Sequence, residues 1–86
     1  MSEQNIKIKF EKENKRAVAI DNKNIAGVCK FIENGDTWNI VHTEVDSKYQ
    51  GKGIARKLVE CVIEEAKRNN KNLIAGCSYA RKILDK

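Results

Sequence analysis

Ile6-Lys7-Ile8-Lys9-Phe10 alternates apolar and basic residues and reads as a strand with one wet face. Glu11 to Lys15 carries charge and Asn with no apolar anchor, which makes a turn, and Arg16 to Ile20 follows as a second strand. Asp21-Asn22-Lys23-Asn24 supplies side chains suited to a tight reversal. The third strand, Ile25 to Ile32, has apolar residues on both parities: Ile25, Cys29 and Phe31 on one, Ala26, Val28 and Ile32 on the other. That pattern predicts an internal strand covered on both faces, with Cys29 an inert core thiol. Glu33-Asn34-Gly35-Asp36 contains an Asn-Gly pair between strand-like segments, a strong hairpin signal. Thr37 to Val45 is the fourth strand, its parity placing Trp38, Ile40 and His42 on one face and Asn39, Val41, Thr43 and Val45 on the other. Four short strands thus form an antiparallel meander before any helix.

From Gly53 to about Asn69 the period changes. Ile54, Leu58, Val62 and Ala66 recur every four residues, joined by Ala55, Val59 and Ile63, with Arg56, Lys57, Glu60, Glu64, Lys67 and Arg68 opposite. At about 1.5 Å per residue this helix is roughly 24 Å long, enough to lie across a sheet. Cys61 borders the apolar stripe as a packing residue. Asn69 to Asn72 ends the helix, and Leu73 to Cys77 is a brief fifth strand. A right-handed crossover makes it parallel to the fourth. Ser78 is placed to cap a final short helix through Leu84, with Tyr79 in its first turn. The expected class is α+β, a mixed sheet with helices attached.

Eighty-six residues form a single domain, 1–86, and 41% hydrophobic with 34% charged residues describes a globular chain. No apolar run approaches a membrane span, and the N-terminus is too polar for a signal peptide. Three scattered cysteines make neither a disulfide framework nor a zinc site, which favours a reducing cytoplasm and no metal. The net charge of +5 favours an anionic partner. Two Phe, two Tyr and one Trp are a poor stacking platform, so nucleic acid ranks last among such partners.

Gln50-Gly51-Lys52-Gly53-Ile54-Ala55 lies between the fourth strand and the long helix. Two glycines allow a close turn, and the helix start aims unpaired N–H groups into it. The spacing is not that of a Walker A loop. A dinucleotide fingerprint would need Gly where Arg56 stands, and an early parallel βαβ unit where the meander lies. What remains is an anion cradle rimmed by Lys48, Lys52, Arg56 and Lys57, or a plain strand-to-helix turn whose lysines face water. His42, the only histidine, is the natural base, since an imidazole near pKa 6.5 is largely neutral at pH 7. Glu44 shares its parity and is placed to orient it. Cys77, at a strand end before a helix start, occupies a position that lowers a thiol pKa from roughly 8.5.

The hexapeptide at 50–55 resembles the Q/R-x-x-G-x-G/A signature of the GNAT superfamily of acyl-CoA-dependent N-acetyltransferases. With Ile40-Val41-His42-Thr43-Glu44-Val45 and Cys77-Ser78-Tyr79, the likeness is strongest to the short, single-domain YjdJ-type branch, over residues 6–84. The resemblance implies that backbone N–H groups of Gln50, Gly51, Lys52, Gly53, Ile54, Ala55 and Arg56 hold the coenzyme A pyrophosphate. It also implies that the fourth and fifth strands splay, so that the pantetheine arm runs along Thr43, Glu44 and Val45 and beside Cys77, Ser78 and Tyr79. His42 and Cys77 match positions proposed as functional in that branch. Cys77 is either an acetyl acceptor or a neighbour of the cofactor sulfur, and Tyr79 either an acid for the departing thiolate or a packing ring. Full-length members place two helices between the first and second strands, for which Glu11 to Lys15 leaves no room; material that they often carry after the last helix is also lacking. A more open acceptor side follows. The implied function is acetyl transfer from acetyl-CoA to a small amine or a protein amine, by a monomer or weak dimer. A non-catalytic acyl-CoA-binding module is the alternative.

Overall fold

The computed structural model describes residues 6–76 and 80–82. Ile6, Ile8 and Phe10 pack on the hydrophobic core while Lys7 and Lys9 are exposed, so the alternation of β1 (Ile6–Glu11) sorts apolar from wet as its sequence requires. β1 pairs antiparallel with β2 (Arg16–Asp21), β2 with β3 (Asn24–Asn34), and β3 with β4 (Thr37–Val45). After α1 (Ile54–Arg68), β5 (Asn72–Ala75) pairs parallel with β4, giving one sheet in the order β1-β2-β3-β4-β5. Residues 80–82 are again helical, and Ala80 is buried in the core. This is the expected α+β architecture, a meander followed by a long helix, a parallel strand and a short C-terminal helix.

The turns carry backbone signatures that fit their residues. Gly35 (φ 63°) opens the Gly35-Asp36 loop between β3 and β4, so the hairpin closes one residue later than the Asn-Gly pair suggested, with Asn34 paired to Thr37. Asn22 (φ 57°) plays the equivalent part between β2 and β3. At the end of α1, the Asn69 side chain donates to the Glu65 carbonyl at 2.7 Å and Asn70 takes a left-handed φ of 56°, which stops the helix.

Helix α1 buries Ile54, Leu58, Val59, Val62 and Ala66 against one face of the sheet. Each large aliphatic side chain removed from water contributes about 1.5–3 kcal/mol. The sheet meets the helix with small residues where the two approach closely: Ala17, Ala19 and Gly27. A Cβ on Gly27 would stand 2.8 Å from the Glu44 carbonyl oxygen and 3.2 Å from Leu58 Cδ1. Phe31 and Trp38 stack with ring centroids 4.3 Å apart, and Phe10 joins both at 5.8 Å.

Two register shifts alter the parities that regular alternation predicts. Ala19 pairs with Gly27 and Ile20 with Ile25, so Ala26 is an extra residue on β3. Ala26 is buried and Ile25 is 52% exposed. Ile32 is 54% exposed as well. The third strand is therefore central, as expected, but covered on one face rather than two, because α1 lies on one side of the sheet. The second shift, in β4, bears on the site.

Candidate functional site

The connection from β4 to α1 is held at several points. The Asp46 amide donates to the Ala26 carbonyl at 2.8 Å, and the Asp46 carboxylate accepts from the Lys48 amide at 3.0 Å, opening a single 3₁₀ turn over Ser47–Tyr49. Tyr49 is buried, and its hydroxyl donates to Asp21 Oδ2 at 2.6 Å, tying the connection to the end of β2. That bond, reinforced by partial burial, raises the Tyr49 hydroxyl above the ordinary tyrosine pKa. Gln50 Nε2 donates back to the Val45 carbonyl at 3.3 Å.

Gly51 (φ 81°) and Gly53 (φ 78°) then turn the chain through left-handed conformations, and Gly53 is the N-cap of α1. L-residues pay about 1–2 kcal/mol there, which is the physical reason for glycine at both positions. No side chain caps the helix, and its first turn contains no acidic residue. The amides of the first turn and the positive end of the helix dipole thus face outward without an internal counter-charge. A cleft of about 370 Å³ lies in front of them, bounded by Thr43, Val45 and Tyr49 on the strand side and by Gln50, Gly51 and Gly53 to Ala55 on the helix side. Nothing lies within 4 Å of where a Cβ would stand on either glycine, so the space before their backbone is free for a ligand. The residues fit a diphosphate: outward N–H groups, close backbone approach, and exposed Lys48, Lys52 and Lys57 around the rim. Ile54 is buried and contributes backbone alone, while the Arg56 guanidinium is turned along the helix to Glu60 at 3.1 Å.

The strand wall of the site depends on the β4 bulge. Lys30 pairs with His42, but Phe31 pairs with Ile40, so Val41 is an extra residue. Before it, Trp38 and Ile40 face the core; after it, Thr43 and Val45 do. The expected grouping of His42 with Trp38 and Ile40 is therefore overturned: the bulge sends His42 and Glu44 to the face away from α1. There His42 Nε2 lies 3.0 Å from Glu44 Oε1, both side chains being more than half exposed. Thr43 donates to the buried Cys29 sulfur at 3.6 Å.

The parallel ladder between β4 and β5 ends at Ile40 with Ala75. Just past it, the Gly76 amide donates to the Ile40 carbonyl and to Asn39 Oδ1, both at 2.8 Å. Residues 41–45 of β4 therefore have no β5 partner among the described residues. The fifth strand is Asn72–Ala75, and Gly76 already lies outside it; Cys77, Ser78 and Tyr79 lie outside the described residues, with every role expected of them. Cys61 is half-buried, and burial raises its thiol pKa, as suits a packing residue.

Two faces of the sheet thus meet at one edge. The phosphate cradle, with Thr43 and Val45, is on the helix side, and His42 with Glu44 is on the open side. Regular alternation missed Tyr49, Asn39 and the Val41 bulge. Gly27 did carry a signal, since glycine inside a strand marks a bulge or a close approach.

A family model described as GCN5-related N-acetyl-transferase matches residues 10–86. Among solved structures, a GCN5-like protein from Staphylococcus aureus is 30% identical, with 94% of this chain and 79% of that one covered and a TM-score of 0.71. An IAA acetyltransferase from Bacillus cereus is 31% identical over 70% of this chain and 41% of its own length, with a TM-score of 0.62. The NatC complex bound to Gag peptide and CoA contains a chain 28% identical, covered over 54% of its length, with a TM-score of 0.60. This chain therefore spans much less of the latter two proteins than of the first. No curated protein sequence matches it. With the fold, the glycine turn and the match all on the same stretch, the chain belongs to the GCN5-related N-acetyltransferase family.

Proposed function

We propose that this chain is an acetyl-CoA-dependent N-acetyltransferase of the short YjdJ-type branch, acting on a small amine or a protein amine. The observation that carries this reading is the uncapped, acid-free start of α1 behind two left-handed glycines, opening on a cleft of about 370 Å³. A cleft of that size falls within the roughly 300–1,000 Å³ typical of small-molecule sites.

Bound there, acetyl-CoA supplies an acetyl group already activated as a thioester. The amides from Gly51 to Arg56 hold its diphosphate, and Lys48, Lys52 and Lys57 offset its charge. The β4 edge from Val41 to Val45 offers backbone groups that orient the rest of the cofactor. On the open face, His42 accepts the proton of the attacking amine, and Glu44, 3.0 Å away, stabilises the imidazolium so formed. Cys77 either takes up the acetyl group or lines the path of the sulfur, and Tyr79 supplies a proton to the departing thiolate. The three scattered cysteines favour a reducing cytoplasm.

Among the similar structures, one is named an IAA acetyltransferase and another is a complex bound to a peptide and CoA, which supports weighing both acceptor classes. Release of free thiol from acetyl-CoA is the direct test, with panels of small amines and peptides. Amine-dependent release that His42→Gln slows by about a hundredfold supports transfer. Tight CoA binding with no release for any amine would make the chain a binding module instead. Intact-protein mass spectrometry after mixing with acetyl-CoA decides the part of Cys77, since only the nucleophile role leaves an acetyl adduct that Cys77→Ala removes.

A further inference from the structure

The sheet face that α1 does not cover carries exposed lysines on β1 and β3, with exposed apolar side chains at Ile25 and toward β5. Lys7 and Lys9 on β1 and Lys30 on β3 are exposed there, and none makes an ion pair among the described residues. Two acids share this face: Glu11, paired with Arg16 at 2.7 Å and within reach of the Lys9 charge, and Glu44, hydrogen-bonded to His42 at 3.0 Å. Beside the lysines, Ile32 (54% exposed), Val41 (39%) and Ile74 (53%) form an apolar patch around the free edge of β4. Ile32 and Ile74 flank Asn39 in one row across three strands.

We propose that this face seats the acceptor as an acidic peptide segment, with its amine at His42 and its carboxylates on Lys30, Lys9 and Lys7. The proposal rests on the transferase reading above and names the substrate class. Charge selects the occupant. A second copy of the chain would bring the same three unpaired lysines against themselves. A single-stranded nucleic acid would find no exposed ring to stack on here, since Phe10, Phe31 and Trp38 all sit on the helix side, in or against the core. An acidic segment answers both the lysines and the apolar patch that its own side chains cover.

The spacing follows from the sheet. Lys30 stands directly opposite His42, one strand away, and β1 lies three strands from β4. At about 4.8 Å between strands and about 3.4 Å per residue along them, Lys9, which lies in the row of Glu44, is roughly 16 Å from His42, and Lys7, two residues further on, is roughly 20 Å away. An extended peptide covers about 3.3 Å per residue, so acidic residues belong one or two positions and about five to six positions from the acceptor residue.

Two fluorescent peptides sharing one acceptor residue, and differing only in Glu or Gln at those spacings, test this with the full chain. Anisotropy at low and at physiological salt measures binding, and thiol release measures transfer. The Glu peptide is expected to bind roughly tenfold more tightly at low salt, with the advantage shrinking as salt screens it. Lys9→Glu combined with Lys30→Glu should erase the advantage and leave CoA affinity unchanged, because the cradle is on the other face. Equal binding of the two peptides, or an advantage that survives the double substitution, would overturn the proposal. So would a single-stranded oligonucleotide that displaces the Glu peptide, or a concentration-dependent dimer whose contacts protect Lys7, Lys9 and Lys30. Transfer to amines without any acidic preference sinks the acceptor face alone. Charge-dependent peptide binding with no transfer to any amine sinks the transferase reading on which the proposal rests.

Discussion

His42 and Lys30 stand opposite each other across the β3–β4 ladder, while the next pair along is Ile40 with Phe31. The residue skipped between them, Val41, is what carries His42 from the buried face of the sheet to the open one. Without that bulge the imidazole would share the helix-side face of the sheet with Trp38 and Ile40, which are fully buried. With it, the side chain is exposed and touches Glu44. Replacing His42 with Gln should lower kcat by about a hundredfold, the lower range of general-base effects, with CoA affinity unchanged. Glu44→Gln should give a smaller loss. Steady-state kinetics beside a CoA titration checks both, and an unchanged kcat in His42→Gln would remove it from the chemistry.

Gly53 and Gly35 form a matched pair for separating backbone strain from binding. Both have left-handed φ values, 78° and 63°, and neither has an atom within 4 Å of a would-be Cβ. Alanine at either position should cost about 1–2 kcal/mol of stability. Only Gly53→Ala should also weaken CoA, by about tenfold, because it shifts amides that face the cleft. Thermal unfolding and calorimetric CoA titration of the two variants make the comparison. Equal effects on CoA would mean that the turn matters for folding alone.

Gly27 is a test of packing beneath the helix. A methyl group there collides with the Glu44 carbonyl, a backbone atom that cannot swing aside, and crowds Val45 and Leu58. Gly27→Ala should therefore destabilise by about 1–3 kcal/mol, the usual cost of overpacking. In a domain of this size each kcal/mol lowers Tm by about 4–8 °C. A variant as stable as the parent would show that β3, β4 and α1 are less closely packed than described.

The Tyr49–Asp21 bond predicts a pH dependence at the alkaline end. The Tyr49 hydroxyl donates to a carboxylate, so folding favours its neutral form and raises its pKa above the ordinary value near 10. The stability from this bond is complete below the unfolded tyrosine pKa and is lost as pH rises through the higher folded value. The difference in unfolding free energy between the parent and Tyr49→Phe should be constant at neutral pH and shrink above about pH 10. Denaturant titrations across that range measure it, and a difference that grows with pH would contradict the bond.

Most of the architecture was readable because local rules and tertiary demands agree. Alternation in Ile6 to Phe10, turn residues at 21–24 and 33–36, and the four-residue spacing of Ile54, Leu58, Val62 and Ala66 each met a structure that needed them. The face assignments in β3 and β4 were less readable. A bulge inserts a single residue without leaving a compositional mark, and every side chain beyond it then changes sides. Ala26 and Val41 are ordinary strand residues, so nothing in them announced the shift. The cradle could be read from Gly51 and Gly53 because positive φ demands glycine. The Tyr49 anchor could not, since its partner Asp21 lies 28 residues earlier.

Amide NMR during titration with coenzyme A tests the central claim most directly, that the start of α1 and the adjoining strand edge hold the cofactor. The account predicts saturable shifts concentrated at Gln50 to Arg56 and at Thr43 to Val45, with the amides of Lys7, Lys9 and Lys30 unmoved. Undisturbed amides from Gln50 to Arg56 at saturating coenzyme A, or shifts confined to the open lysine face, would contradict it.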